Sequence, residues 1–275
     1  MGRLSHQFVC VRIQSMNGIN LDLFQFEFDL TWMSFFMDAE NHVYTRYGGR
    51  DDRDPESHLN RDSLLGTMRK ALMLHKLGDV LKSSLEPTGR TVRTPEQIPT
   101  MRAMMAKRKN KCIHCHDIKV ATLKHLRNRD KLKRQMVFTY PTPANLGISV
   151  DPVDQSVVDS VRPGNPAARA GIRAGDQIAS AGDHRVLTLG DFSRVLERTP
   201  ARGRLSVQLK RNGQSIQVPI ELPNGWRQSH DMTIKQFNAH PILHRNWGDT
   251  VPVILRRGNR DVTVQMTFPN QPPRD

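Results

Sequence analysis

Cysteine is scarce. Three residues, Cys10, Cys112 and Cys115, serve a chain of 275, which excludes the dense disulfide framework of a small secreted scaffold. Aromatic residues make up only 6%, and no helix-turn-helix or aromatic-basic sheet motif appears, so nucleic-acid binding would rest on charge alone. No apolar run approaches the roughly 18 residues of a membrane-spanning helix. The opening "MGRLSHQFVCVRI" has no apolar core of a signal peptide. No G-x-S-x-G occurs, which argues against a self-contained hydrolase of that type. Acidic residues are also short: 27 Asp and Glu face 41 Lys and Arg, a formal charge of +14. That balance favours an acidic partner, whether nucleic acid, anionic membrane or protein. The densest basic stretch runs from Arg102 to Arg134 and is either a solvated helix face or a docking surface.

Against these absences stands a patterned chain. Residues 7–13, "QFVCVRI", alternate like a strand. "LTWMSFFMDAENHVYTRYGGR" reads as a hairpin: Leu30–Met37, a turn at Asp38–Asn41, then Val43–Tyr47. A helix follows with Leu64, Leu65, Met68, Leu72 and Leu77 on one stripe. Residues 83–111 carry Pro87, Pro95, Pro99 and Gly89 and read as a linker. A second helical pattern runs from Asp117 through Ile118, Val120, Leu123, Leu126 and Leu132, and "YPTPANLG" ends it.

Within "NKCIHCHDI", residues 110–118, Cys112, Cys115 and His116 form a C-x-x-C-H. Two thiols three residues apart can add across the vinyl groups of a haem, and the next histidine can ligate the iron. Zinc is the alternative, with Cys112, Cys115, His116 or His114, and His125 as donors. A redox dithiol and coincidence stay open. His125 lies nine residues beyond His116, about 180° away on one helix, so Met136 at the end of the helical pattern is the expected sixth iron ligand. Haem c would place the protein outside the cytoplasm, in the periplasm or its equivalent.

Residues 144–222 are rich in short β runs with Gly and Pro punctuation. Asn165-Pro166-Ala167-Ala168 opens a short helix, "AGIRAGDQI" turns into a strand, and Gly213 makes a hairpin turn. A second helix is expected over 189–198, with Phe192 facing the core and Leu189, Ser193 and Leu196, at i, i+4 and i+7, on another face. These motifs resemble a bacterial PDZ domain. The resemblance implies strand addition of a C-terminal or extended peptide along Leu146-Gly147-Ile148-Ser149-Val150, with Gly147 admitting a carboxylate close to the backbone. Leu189, Ser193 and Leu196 would form the opposite wall.

Residues 187–223 and 232–269 match as an internal repeat. Phe192 pairs with Phe237, Gly203 with Gly248, Arg211 with Arg256 and Gly213 with Gly258. After one inserted residue Val218 pairs with Val264 and Pro223 with Pro269. The second copy looks like half a PDZ domain.

The strand, hairpin and helix of residues 7–80 resemble the second half of a thioredoxin-like fold, without its redox motif. Together, "DLTWMSFFMDAENHVYTRYGGRD" and "CIHCH" before "YPTPANLG" resemble a bacterial family of multidomain proteins that join a degenerate thioredoxin-like segment, a C-x-x-C-H insert and a PDZ domain. The expected class is α+β: a partial thioredoxin-like α/β segment at 1–82, a linker and helix with the haem motif at 83–143, a PDZ β-barrel-like domain at 144–223, and a half-PDZ repeat and tail at 224–275. A strand opening at residue 7 would lack its partner, so a chain start further upstream is expected. The implied function is an extracytoplasmic peptide-binding protein carrying haem c, with an acidic redox partner. The alternative is a non-enzymatic interaction module with a zinc-bound or unligated cysteine pair, possible also as a protease accessory.

Overall fold

A computed structural model describes residues 2–28, 30, 32–49, 56–78, 93–106, 108–132, 136, 139–227, 250–257 and 260–267. It is an α+β arrangement of helices around small antiparallel sheets. After a short α1 (Gly2–Ser5), residues 9–13 form no strand. Val9 is 94% and Val11 80% exposed. Among the described residues no strand pairs with them, and β structure needs a partner for its backbone.

The hairpin forms as expected. β1 (Met33–Met37) pairs with β2 (Val43–Gly48), Met33 opposite Gly48. Helix α2 (Arg61–Lys76) is capped by Asn60, whose side chain accepts from the Ser63 N–H at 2.9 Å. Its buried stripe is Ser63, Thr67, Met68, Ala71 and Leu74, so of the expected stripe only Met68 is fully buried, with Leu64, Leu65 and Leu72 half-buried and Leu77 exposed. The small hydroxyls explain the rotation. Ser63 Oγ lies 2.6 Å from the Tyr47 hydroxyl, and Thr67 Oγ1 donates to the Ser63 carbonyl at 2.8 Å. The helix therefore closes on the fully buried Tyr47 ring.

The expected linker is partly structured. Pro95–Gln97 form a 3₁₀ turn, and α3 (Pro99–Ala106) follows. Proline suits the first helical turn, where its missing N–H is not needed, and "TMRAMMA" contains good helix formers. Met101 and Met105 are buried against α4 (Cys115–Arg127). Helix α4 ends at Arg127, short of Leu132, and Val120 is exposed. Met16, Leu21, Ile113, Ile118 and Ala121 complete this small core.

Residues 143–222 build the third unit. A 3₁₀ turn at Pro143–Leu146 leads to β3 (Ile148–Val150), which pairs with β4 (Val158–Val161). Then come α5 (Pro166–Arg169), β5 (Gln177–Ala181), β6 (His184–Arg185), α6 (Leu189–Arg198), β7 (Gly203–Arg211) and β8 (Gln214–Leu222). The four-stranded sheet runs β6-β5-β7-β8. Phe192 is fully buried among Leu146, Ile178, Val207 and Ile220. The chain beyond β8 folds back: Trp226 joins this core, its Nε1 donates to the Pro200 carbonyl at 3.1 Å, and Asn145 Nδ2 donates to its carbonyl at 3.0 Å. Arg227 donates to the carbonyls of Leu196, Glu197 and Thr199 at the end of α6.

β9 (Thr250–Arg257) and β10 (Arg260–Thr267) form an antiparallel hairpin with Thr250 opposite Thr267. It corresponds to β7–β8 in the repeat. Phe237, Gly248, Gly258 and Pro269 lie outside the described residues.

Candidate functional site

The site is assembled from the 143–150 segment, α6 and the hairpin unit formed by β1, β2 and the chain from residue 56 to the end of α2. Gly147 ends the 3₁₀ turn with φ of 85° and donates its N–H to the Ala144 carbonyl at 2.9 Å. A left-handed φ favours glycine. A Cβ there would lie 2.9 Å from Asn165 Cγ. The side-chain direction is therefore filled by the loop before α5, and Gly147 serves close packing of that loop as well as the turn.

Backbone bonds fix which way β3 faces. Arg162 N–H donates to the Gly147 carbonyl at 2.8 Å, and Asp151 N–H to the Val157 carbonyl at 2.9 Å. In an antiparallel ladder the polar groups alternate direction. The N–H and C=O of Ser149 therefore point to β4, and those of Ile148 and Val150 point away from it. Among the described residues β3 pairs only with β4, so this is an outer edge.

Helix α6 packs on the Pro143–Leu146 turn. Thr188 caps it, accepting from the Asp191 N–H at 3.1 Å. Leu189 and Leu196 are buried in the same core as Phe192, while Ser193 is half-buried. Leu189 and Leu196, expected on the groove wall, pack with Phe192. The helix buries Gly190, Asp191 and Arg194 as well, because a second partner covers its remaining side.

That partner is β2. Asp191 Oδ1 accepts the Arg46 N–H at 2.9 Å, and Oδ2 accepts the Thr45 hydroxyl at 2.6 Å and the Leu187 N–H at 3.2 Å. The Thr188 hydroxyl donates to the Arg46 carbonyl. Burial pushes the Asp191 carboxyl above its ordinary value, partly opposed by the charge of Arg46 and the Thr45 bond. Gly190 permits the approach: a Cβ there would meet the Gly48 carbonyl oxygen at 2.9 Å and that of Arg46 at 3.1 Å.

A second link runs across the end of β3. Leu189 N–H donates to Gln155 Oε1 at 3.0 Å. Gln155 Nε2 donates to the His58 carbonyl at 2.7 Å. His58 Nε2 lies 3.2 Å from the Val150 carbonyl and must donate to it. The chain α6–Gln155–His58–β3 is continuous. His58, Gln155, Gly190 and Asp191 were not singled out from sequence. The one signal was Thr188 with Asp191 three residues on, a helix-start pattern, and it does not reveal a partner strand.

Residues 144–222 match the family model described as PDZ domain. They are a PDZ domain. A "Probable periplasmic serine endoprotease DegP-like" from Halomonas elongata is 37% identical over 90 residues, covering 29% of this chain and 19% of that protein. The serine endoprotease structure from Yersinia pestis is 33% identical over 28% of this chain and 27% of the other, with a TM-score of 0.24. The structure titled "HtrA-type protease AlgW with decapeptide" is 27% identical over the same shares, also at 0.24. The chain spans about a fifth of the curated relative and about a quarter of these structures.

The C-x-x-C-H lies apart from the PDZ domain. Cys112 is exposed and Cys115 is half-buried at the first position of α4, and neither is in a disulfide. Ile113 between them is buried and anchored, its N–H donating to Asn17 Oδ1 at 2.9 Å. The His116 side chain is 59% exposed and stacks on His114, ring centroids 5.6 Å apart. Asp117 accepts two bonds from Arg108 at 2.8 and 2.6 Å and one from the His114 N–H at 2.8 Å. Burial would raise its pKa, but the Arg108 bonds hold it below the ordinary value. The exposed Cys112 thiol and the exposed His116 imidazole suit covalent haem attachment, while Cys115 packs partly against the methionine core. The zinc donor set is not gathered. Among the described residues, the grouping of three donor atoms within 4.8 Å is Asp38, Glu40 and His42. Met136 and His125 line a cavity of about 1020 Å³, and Cys112, Cys115 and His116 do not line it.

Proposed function

We propose that this protein binds peptide tails through its PDZ domain and carries haem c on Cys112 and Cys115, outside the cytoplasm. The observation that carries the peptide reading is the outer edge of β3, where Ile148 and Val150 turn their backbone groups away from β4 beside α6. Such an edge adds a strand from another chain, and the outward N–H of Ile148 at its start can donate to a terminal carboxylate. An array of peptides with free or amidated C-termini tests it: binding lost on amidation is expected, and binding indifferent to amidation overturns it.

Cys112 and Cys115 would form the thioether bonds and His116 would ligate the iron. When bound, the haem supplies one-electron chemistry. Exposed Lys109, Lys111 and Lys124 around the motif give a positive face for an acidic redox partner. Exported protein should stain for haem on a denaturing gel, and Cys112→Ala with Cys115→Ala should abolish the stain. A colourless exported protein holding one zinc overturns the haem reading. Extracytoplasmic placement rests on this attachment and on the likeness to a periplasmic protein. That likeness also favours a second reading, in which the module serves a protease as an accessory.

A further inference from the structure

We propose that the hairpin unit is a built-in competitor for the PDZ groove, holding the end of it that a long peptide tail would need. This rests on the peptide-binding reading above.

Three observations converge on one end of the groove. The Val150 carbonyl, the last acceptor on the outer edge of β3, is taken by His58. The Gln155 side chain ties the His58 backbone to the first amide of α6, so the gap between strand and helix is bridged at that end. The end of β2 lies directly on the start of α6. A Cβ at Gly49 would touch Leu189 Cδ2 at 3.5 Å, and Gly190 accepts the backbone of Arg46 and Gly48 only because it has no side chain. The side chains of Ile148, Val150 and Leu189 are turned into the PDZ core, so what the docked hairpin unit covers is the backbone edge past Val150 and the start of α6.

An arriving strand pairs with β3 residue by residue, and β3 is 3 residues long. With the hairpin unit docked, the edge offers the groups of Ile148 and the N–H of Val150. That suffices for the last few residues of a tail, held by the terminal carboxylate. A longer tail running on past Val150 meets the His58 ring and the β2 end. It gains its extra contacts only when the hairpin unit lifts away. The partner is thus an extended tail with a free C-terminus, and its length decides whether it opens the molecule. A purely structural interface would bury the same residues without making affinity depend on tail length.

The test uses the full chain. An octapeptide library with free C-termini is screened against wild type and Gly190→Ala, and the best sequence is made as an octapeptide and as its last three residues. Alanine favours α6, and its Cβ strikes the β2 backbone. Gly190→Ala should tighten the octapeptide by about tenfold, in the usual range of site-to-site coupling, and leave the tripeptide nearly unchanged. A binder found with Gly190→Ala and missing from wild type is the strongest form of that result. His58→Ala removes the ring but keeps the backbone carbonyl bonded to Gln155, and should act in the same direction if Gly190→Ala fails to fold. Hydrogen exchange should quicken over 43–49 and stay slow over 203–222. Peptides that bind with the same length dependence in all three proteins overturn the competitor and leave the peptide reading standing. No binding by any of them, at either length, overturns the peptide reading itself.

Discussion

The PDZ core and the core beside the C-x-x-C-H are built by opposite rules. The first draws on alternating strand residues: Leu205, Val207 and Leu209 on β7 stand opposite Ile220, Val218 and Ile216 on β8. The second gathers Met16, Leu21, Met101, Met105, Ile113 and Ile118 from separate segments with no sheet between them. Scattered bonds hold those segments: Met16 N–H to the Ile113 carbonyl at 2.8 Å and Ile113 N–H to Asn17 Oδ1 at 2.9 Å, Leu21 N–H to the Arg93 carbonyl at 2.7 Å, and Gly18 N–H to Glu96 Oε1 at 2.9 Å. A ladder imposes shape on its core. A core pinned at points needs side chains that adapt, and methionine does this well.

The comparison breaks most sharply at Phe192. Replacing it by alanine should cost about 3–5 kcal/mol, as a large aromatic lost from a tight core does, measured by denaturant unfolding. Met101→Ala should cost roughly 2–4 kcal/mol, whereas Met101→Leu should cost under about 1.5 kcal/mol because the adaptable core accepts equal volume. Equal losses for alanine and leucine there would refute the adaptability. Next comes Asp117→Asn, expected to cost about 1–3 kcal/mol by leaving Arg108 and the His114 amide poorly satisfied. It should also loosen the cysteine loop, read as faster thiol labelling of Cys115.

Acid sharpens the comparison further. Burial alone would raise the pKa values of Asp117 and Asp176, but bonds from Arg108 and Arg211 hold both below the ordinary 3.8. Groups lowered on folding add stability above their unfolded value, and it is lost as pH falls through the folded value. Asp191, raised by burial, runs the other way: its contribution weakens as pH rises above 3.8. Melting temperature should fall as pH drops through 4 toward 2, and Arg211→Met should flatten that fall. A fall of the same steepness in Arg211→Met would rule out the Asp176 pair as its cause. The smallest effect belongs to the exposed Arg204–Glu221 pair. Arg204→Ala should change stability by no more than about 1 kcal/mol.

How much of this the sequence disclosed follows the same divide. The PDZ elements were legible because Gly and Pro punctuation and period-two strands are local signals; helix 189–198 stands where its pattern put it. The hairpin of β1 and β2 was legible for the same reason. Residues 7–13 misled because alternation says nothing about whether a partner strand exists. Helix α3 was hidden by its prolines, which here start a turn and a helix. The face of α2 differs from the expected one because burial goes to Ser63 and Thr67, whose hydroxyls find partners, and to Leu74, while Leu64, Leu65 and Leu72 are only half-buried. At the candidate site the segment 146–150 could be named, but His58 and Gln155 could not. Their roles arise from a contact spanning 92 residues of chain, between His58 and Val150, which no periodicity encodes.

The fold-back of Trp226 and Arg227 sets where this domain can be cut. The family match ends at residue 222, yet Arg227 supplies the donors for three carbonyls at the close of α6. A helix end whose last carbonyls lose their donors frays. Proteolytic cleavage after Arg227 would therefore release a fragment with an intact α6. Cleavage a few residues earlier, before Trp226, would release one with an indole-sized gap and an open helix end, though the two products would look alike on a gel.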